Sequence, residues 1–193
     1  MRLAIDISNN NGIVDLGYCH DAGVGVVGVK ATEGVNFHDD FYYRNVSHAR
    51  SWALAVGAYD FARPSANTGA QEAKTFIDEV EGGEPVDFLA LDMEDDRVSP
   101  TAGLAGFALD WWEHVSNRFK VPIYLYTSYG YARAHDLSNS LEVADFRLWL
   151  ASWSITKPTS IPGWARIGAW QFTDEGFTPG VGRVDQSIWY DTL

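Results

Sequence analysis

Short apolar segments alternate with helix-like segments along most of this chain, and this alternation restricts its fold more than any other feature. Eight segments rich in β-branched or aromatic residues predict strands at residues 3–7, 26–30, 53–59, 88–93, 122–127, 147–152, 167–172 and 184–190. Four segments between them predict helices at residues 15–22, 39–52, 68–80 and 101–118. Such alternation predicts a parallel sheet, and eight strands favour a closed barrel over an open doubly wound sheet.

The second half of the chain is less regular than the first. After Tyr129 the connections are short or rich in Pro and Gly, as at Lys157-Pro158, Ile161-Pro162-Gly163 and Thr178-Pro179-Gly180, so we expect some outer helices to be missing. The length of 193 residues agrees with this, because a full (β/α)8 barrel needs roughly 250 residues. No linker or repeat is visible. The expected fold class is therefore α/β, an irregular TIM-like barrel, with residues 1–193 forming a single domain.

Charge and hydropathy exclude several classes of function. The chain has 26 acidic and 14 basic side chains, a net charge of −12, which argues against binding to nucleic acid. No apolar run approaches the roughly 18 residues that span a membrane, and the apolar start is short and broken by Asp6. We expect no membrane insertion, no signal peptide in this chain, and a monomer. The lone Cys19 cannot form an internal disulfide.

Polar residues gather where the predicted strands end. In a barrel of parallel strands these ends form one rim, which is where active sites lie. The first four strands bring Asp6, Ser8, Lys30, Glu33, Tyr59, Asp60, Asp92 and Glu94 to this rim, and the later strands add Tyr126, Ser128, Trp149, Trp170, Gln171 and Asp185. The predicted strand starts carry mostly Val, Ala, Gly and Pro, so the rim is the predicted functional end.

Asp92 and Glu94 give the sharpest signal at this rim. Residues two apart on a strand point to one face, so the two carboxylates would share a pocket with Phe88 and Ala90 beneath them. Paired carboxyl groups are what glycoside hydrolysis requires. The spacing alone fits a solvated acidic edge equally well, because other acidic pairs in the chain show it. The apolar run before Asp92 favours catalysis, since ending a buried strand in two acids is costly unless they are used.

Other candidate chemistries have weaker support. The five His residues show no metal-ligand spacing, so we expect no metal and no cofactor. There is no GxSxG motif for a nucleophilic Ser. Lys30 could form a Schiff base, although pairing with Glu33 is the simpler interpretation. Trp149 and Trp170 could stack on sugars or pack in the core.

Several short motifs occur in a specific order along the whole chain. They are Asp6-Ile7-Ser8 with Asn11-Gly12, Lys30-Ala31-Thr32-Glu33-Gly34, Gly57-Ala58-Tyr59 through Phe61-Ala62-Arg63-Pro64, Leu91-Asp92-Met93-Glu94, Trp149-Leu150-Ala151, Trp170-Gln171-Phe172 and Val184-Asp185. In these motifs the sequence resembles the glycoside hydrolase family 25 lysozymes, the muramidases of phage endolysins and bacterial autolysins. The resemblance implies an irregular barrel of eight strands and about five helices. It also implies cleavage of the β-1,4 bond from N-acetylmuramic acid to N-acetylglucosamine in bacterial peptidoglycan.

The resemblance also implies roles for individual residues. Glu94 would be the general acid/base, Asp92 its partner carboxylate, and Asp6 and Asp185 the supporting acids. The residues expected to contact the sugar are Tyr59 and Gln171 by resemblance, together with the rim residues Glu33, Asp60, Tyr126, Trp149 and Trp170. An enzyme of this kind would be made in the cytoplasm and would reach the cell wall through a phage-made membrane lesion.

Two departures and two alternatives accompany this interpretation. The family commonly has His where Asp60 stands and Asn where Ser187 stands, and Asp60 is expected to add negative charge near the four acids. The alternative functions are a chitinase-like hydrolase and a sugar-binding module without catalysis. Strand geometry leaves both a retaining and an inverting outcome open. By analogy with other barrel enzymes that have a D-x-E strand end, we predict retention with assistance from the substrate's acetamido group.

Overall fold

A closed barrel of eight strands forms the centre of the structure. The structure is a computed structural model, and it describes residues 1–98, 103–135, 137, 145–153, 156–158, 161, 164 and 166–193. The strands are β1 (Arg2–Ile7), β2 (Val24–Glu33), β3 (Phe37–His38), β4 (Ala55–Phe61), β5 (Phe88–Asp92), β6 (Ile123–Ser128), β7 (Arg147–Ala151), β8 (Ile167–Thr178) and β9 (Gly182–Trp189). Their order is β1-β9-β8-β7-β6-β5-β4-β2, and pairing of β1 with β2 closes the barrel. The short β3 pairs with β2 outside it. The predicted barrel is confirmed.

The direction of the last strand corrects the expectation of a parallel sheet. Strands β1 to β8 of the barrel pair in parallel, but β9 runs antiparallel to both β8 and β1. Only residues 179–181 join β8 to β9. A connection this short cannot make the crossover that a parallel pair needs. The start of β9, not its end, therefore lies at the rim where the parallel strands end.

Helices pack around the outside of the barrel. They are α1 (Leu16–Asp21), α2 (Tyr42–Ser51), α3 (Gly69–Glu81), α4 (Leu104–Arg118) and α5 (Tyr129–Ala134). The first four were predicted, although residues 101 and 102 of the last prediction lie outside the described residues. Thr68 caps α3 in a capping box with Gln71. After α5 the described residues contain no further helix, and no described helix is long and apolar enough to cross a membrane.

Alternation along the strands divides the core into two layers. In β5, Phe88 and Ala90 pack inside the barrel with Tyr124, Trp149 and Trp189, whereas the intervening leucines face the helices. Small residues make room for the large interior rings. A Cβ at Gly57 would lie 2.4 Å from the Phe88 ring, so only glycine fits there. These rings form a floor beneath the end of the barrel where the strands terminate.

Candidate active site

A cavity of about 410 Å³ opens at the rim end of the barrel. The residues lining it are Asp6, Ser8, Asn10, Asn11, Lys30, Tyr59, Phe61, Asp92, Glu94, Tyr126, Trp149, Asp174, Arg183, Val184 and Asp185. They come from all eight barrel strands and from the segments that follow β1 and β5. The structure therefore brings together all four predicted acids and three of the predicted sugar-contacting residues.

Asp92 and Glu94 take different positions in this cavity. Asp92 ends β5 and is buried, and within the described part of the chain its Oδ1 has no hydrogen-bond partner. Burial and the neighbouring charge of Glu94 raise the pKa of Asp92 well above its usual value. Glu94 reaches the solvent at the mouth, yet partial burial of its carboxyl and the charge of Asp185 raise its pKa as well. Glu94 is thus an accessible carboxyl that keeps its proton to higher pH than a free one.

Asp6 and Asp185 form a second acidic pair. They lie directly opposite each other on β1 and β9 and share a hydrogen bond. Burial and the charge of Asp185 raise the pKa of Asp6 well above its usual value. Burial also raises the pKa of Asp185, but the hydrogen bond from Asp6 acts in the opposite direction. Asp6 is therefore the member that holds the proton, and Asp185 is the member that accepts it.

Gln171 links this pair to the aromatic side of the cavity. It is fully buried, and its Nε2 donates to Asp6 Oδ2 at 3.2 Å. Its Oε1 accepts from the Tyr126 hydroxyl at 3.0 Å and from the Trp153 indole at 3.1 Å. The Tyr126 hydroxyl also lies within hydrogen-bonding reach of Glu94. Gln171 thus holds the side chains around the acids from behind, without lining the cavity.

Aromatic side chains complete the floor and wall. Trp149 is buried, and its indole donates to Ser187 Oγ at 3.0 Å. Its ring packs edge-on against Tyr126 with centroids 5.2 Å apart. Tyr59 is half-buried, and burial followed by the charge of Asp6 raises its pKa well above the usual value, so its hydroxyl stays neutral. Ser187, where the family commonly has Asn, therefore supports the cavity floor.

A basic residue lies among these acids. Lys30 is buried at the cavity wall, and its ammonium group donates to Glu33 Oε2 at 2.5 Å. This contact is the pairing that the sequence favoured over a Schiff base. Its positive charge lowers the pKa of both Asp92 and Glu94, against the larger effect of burial.

Comparison with known proteins agrees with this arrangement. The family model of "Glycosyl hydrolases family 25" matches residues 5–181. The chain belongs to this family. It is 28% identical to "Lysozyme M1" of Streptomyces globisporus over 95% of this chain, and it spans 66% of that protein, about two thirds of its length. It is 29% identical to the "N,O-diacetylmuramidase" of Chalaropsis, over 88% of this chain and 86% of that protein.

A solved structure shares the fold. The family 25 lysozyme of Aspergillus fumigatus superposes with a TM-score of 0.86 at 24% identity, covering 100% of this chain and 95% of that one. At this identity the likeness concerns the fold alone, and it is the same irregular barrel that the sequence motifs predicted.

Three predicted sugar-contacting residues of this family 25 protein lie outside the cavity lining, in addition to Gln171. Asp60 is fully buried on the outer face of β4, where it accepts hydrogen bonds from Thr32 Oγ1 at 2.7 Å and from the Trp111 indole at 3.0 Å. Trp170 points outward, and its indole donates to the Ser152 carbonyl at 2.8 Å. Neighbouring residues on a strand face opposite sides, and Tyr59 and Gln171 take the inner side. Asp60 and Trp170 therefore face away from the cavity and cannot contact a sugar in it.

The third of these residues is Glu33, which lies behind the cavity wall. Its carboxylate accepts hydrogen bonds from Lys30 and from Arg63. Burial raises the pKa of this carboxyl, but the hydrogen bonds and positive charges of Lys30 and Arg63 together outweigh burial and leave the pKa below its usual value. Glu33 therefore interacts with cations of the site and not with the open cavity.

The structure adds cavity residues that the strand pattern missed. Asn10 and Asn11 line the mouth from a short 3₁₀ turn at Asn9–Asn11, which Ser8 caps in a capping box with Asn11. The Ser8-x-x-Asn11 spacing was the available signal. Arg183 also lines the mouth, from the start of β9. It was missed because the reversed direction of that strand could not be read from the sequence.

Proposed function

We propose that this family 25 protein is an N-acetylmuramidase, a lysozyme that hydrolyses the β-1,4 bond between N-acetylmuramic acid and N-acetylglucosamine in peptidoglycan. The observation that carries the proposal is the open cavity in which Glu94 lies at the mouth, Asp92 lies buried beside it, and Asp6 and Asp185 are hydrogen-bonded to each other. Paired carboxyl groups in different environments are the requirement of glycoside hydrolysis. The relatives named a lysozyme and an N,O-diacetylmuramidase support the choice of substrate.

Glu94 is proposed as the general acid. Its raised pKa keeps the carboxyl protonated at pH values where a free Glu would be ionised, and its exposure lets it reach a bound glycan. It would protonate the oxygen of the leaving sugar. After the leaving sugar departs, the ionised Glu94 would take a proton from the attacking water.

Asp92 is proposed to orient the substrate's acetamido group. Its buried Oδ1 is an acceptor without a partner among the described residues, so an amide N–H placed there would receive a hydrogen bond that the protein itself does not supply. Orienting the amide lets its carbonyl oxygen attack the anomeric carbon as the glycosidic bond breaks. Two such displacements, by the amide oxygen and then by water, give retention of configuration.

Asp6 and Asp185 are proposed to supply electrostatic support. Because they share one proton, they bring one negative charge to the cavity instead of two. That charge stabilises the positive charge that develops on the sugar ring, without the full repulsion of four ionised acids. Tyr59, Tyr126 and Trp149 are proposed to form the sugar-binding surface.

The proposal is tested by identifying the new reducing sugar. Purified peptidoglycan is digested, the products are reduced, and the reduced sugar is identified by mass spectrometry. Reduced N-acetylmuramic acid is expected. Reduced N-acetylglucosamine would indicate a glucosaminidase or chitinase-like enzyme, and free amino groups without reducing ends would indicate an amidase or peptidase. Binding without any product would indicate a sugar-binding module. In the same assay the variant Glu94→Gln should release no reducing sugar. Glu113→Gln, an exposed change of the same kind on α4, is the matched control and should keep the activity.

The setting of this activity is also proposed. With peptidoglycan as substrate, the protein would act at the bacterial cell wall, as a monomer, with residues 1–193 as one catalytic domain. Release through a phage-made membrane lesion is the proposed route to the wall. Expression with and without a phage holin, followed by an assay of the culture for lysis, would test that route.

A further inference from the structure

Lys30 is one end of a chain of alternating charges that runs from the cavity wall through Glu33, Arg63 and Asp95 to Arg97. Its Nζ contacts Glu33 Oε2 at 2.5 Å, and Arg63 Nε donates to Glu33 Oε1 at 2.9 Å. Arg63 also pairs with Asp95 Oδ1 at 3.3 Å, and Arg97 pairs with the same oxygen at 2.8 Å. Three cations and two anions therefore form one connected group with a net charge of about +1.

Two members of this group, Lys30 and Asp95, are buried and have few alternative positions. Lys30 is 7% exposed, and its Nζ lies 4.9 Å from the centre of the Phe61 ring, within cation–π distance. The Asp95 side chain is only 1% exposed. A buried ammonium group is costly unless it is paired and used, and the contact with Glu33 accounts for the pairing. The Lys30 end of the group is thus a fixed positive charge, whereas Arg97 at the other end is exposed.

This group contacts the site at two places. Lys30 lines the cavity together with Asp92 and Glu94. Asp95 directly follows Glu94 in the chain, so its ion pairs with Arg63 and Arg97 hold the backbone that carries the general acid. The groups that face Lys30 and these acids across the cavity are Asp6, Tyr59, Tyr126, Asp174, Arg183 and Asp185, and the charge of Asp60 acts on them from the outer face of β4. All of them except Arg183 are acidic or neutral, and Arg183 is exposed. Among the described residues, Lys30 is therefore the buried cation of the cavity lining.

We propose that Lys30, held in place by Glu33 and Arg63, is a positioning residue whose fixed positive charge sets the pH range over which Glu94 and Asp92 work. This inference rests on the proposed function, because it concerns the same site. The inference also assigns a role to Glu33. Its carboxylate holds Lys30 and Arg63 and lowers the positive charge of the group by one. The geometry makes Glu33 a partner of the cations, in place of the sugar contact predicted from the sequence.

Two substitutions should move the pH profile in opposite directions. Lys30→Met removes a positive charge, so both limbs of the profile of kcat/KM should shift to higher pH. Glu33→Gln removes a negative charge, and its amide oxygen can still accept a hydrogen bond from Lys30, so both limbs should shift to lower pH. Each shift should be about 0.5 pH unit or more, as expected for one charge at a partly buried site. Lys30→Arg keeps the charge and should keep the limbs close to those of the parent.

An ion pair on the outer surface supplies the matched control. Lys74 and Asp78 on α3 are also 2.5 Å apart, but they are exposed. Lys74→Met and Asp78→Asn make the same changes in net charge and should leave both limbs in place. A merely structural role for Lys30 would lower activity without moving the limbs, or would move them in the same direction in both variants, and either result would overturn the inference.

The experiment separates failure of this inference from failure of the proposed function. Release of N-acetylmuramic acid reducing ends by the unsubstituted protein is measured first, and its absence refutes the function. With that activity present, unshifted limbs refute the role of Lys30 alone. Circular dichroism establishes that each variant is folded. If Lys30→Met does not fold, the shift in Glu33→Gln decides, because Glu33 is partly exposed and its replacement is nearly isosteric.

Discussion

Replacement of Asp60 should separate a structural acid from the catalytic ones beside it. The Asp60 side chain is fully buried between β4 and the helices, and both of its oxygens accept hydrogen bonds, from Thr32 and from the indole of Trp111. Burial and the charge of Glu72 raise its pKa well above the usual value. Asp60→Asn keeps the shape and can keep both hydrogen bonds if the Thr32 hydroxyl turns to accept. Asp60→Leu keeps the volume and removes both acceptors.

The magnitudes follow from these contacts. Asp60→Leu leaves two buried donors unpaired, at about 1–3 kcal/mol each, so we expect a loss of about 3 kcal/mol or more. For a chain of this length that loss lowers Tm by roughly 6–12 °C. Asp60→Asn should stay within about 1 kcal/mol of the parent at pH 5. Because the folded-state pKa of Asp60 is raised, its contribution is fully present below about pH 4 and is lost as pH rises through the folded-state pKa.

The sign of this pH dependence gives the decisive assay. Stability of the parent, Asp60→Asn and Asp60→Leu is measured by denaturant unfolding at pH 5 and pH 8. Asp60→Asn should gain on the parent as pH rises, by at most about 1.4 kcal/mol per pH unit for one proton. Asp40→Asn, an exposed change of the same charge, should show no such gain. If Asp60→Asn loses ground between pH 5 and pH 8, Asp60 is stabilised as a carboxylate and the reasoning is wrong. Activity of Asp60→Asn on a soluble glycan should remain within about threefold, less than 1 kcal/mol.

Three further results are expected. Glu94→Gln should abolish release of reducing ends while calorimetric sugar binding persists, and Asp92→Asn should lose about 10²-fold in kcat; full activity of either variant would remove that residue from the mechanism. NMR on a soluble fragment should show the β anomer first, and muramic acid without its N-acetyl group should be a poor substrate; an initial α anomer means inversion. With a net charge of −12, moderate salt should raise activity on whole cells by screening repulsion from the anionic wall, and a steady fall with added salt would show attraction instead.

Periodicity was sufficient to predict most of the barrel. Eight strands and four helices were located from their apolar spacing, because each strand must bury one face inside the barrel and the other under helices. The helix Tyr129–Ala134 was not predicted. It is six residues long, has one buried residue, Ala132, and is capped by Ser128, which the sequence placed after a strand. One buried residue gives no apolar periodicity, whereas the equally short α1, which was predicted, has three buried residues and follows its N-cap Asp15.

The site was predictable as far as it depends on position along a strand. Asp92 and Glu94 were identified because a two-residue spacing at a strand end puts both side chains on one face. The pairing of Asp6 with Asp185 could not be derived in this way, since it depends on the reversed direction of β9. That direction follows from the short connection at residues 179–181, which looked longer in the sequence because the predicted strands ended at residue 172 and began at residue 184.

Adjacent residues at the strand ends explain both the successes and the errors. Tyr59 lines the cavity while Asp60 faces the helices, and Gln171 supports the cavity while Trp170 packs outside. Proximity to the rim therefore does not make a residue part of the site. The barrel wall separates Asp60 from the catalytic acids, so its charge acts on Asp92 less than the charges of Glu94, Asp6 and Lys30 do. In a barrel of this kind, residues at the rim that face outward can therefore be substituted while the chemistry of the residues that face inward stays unchanged.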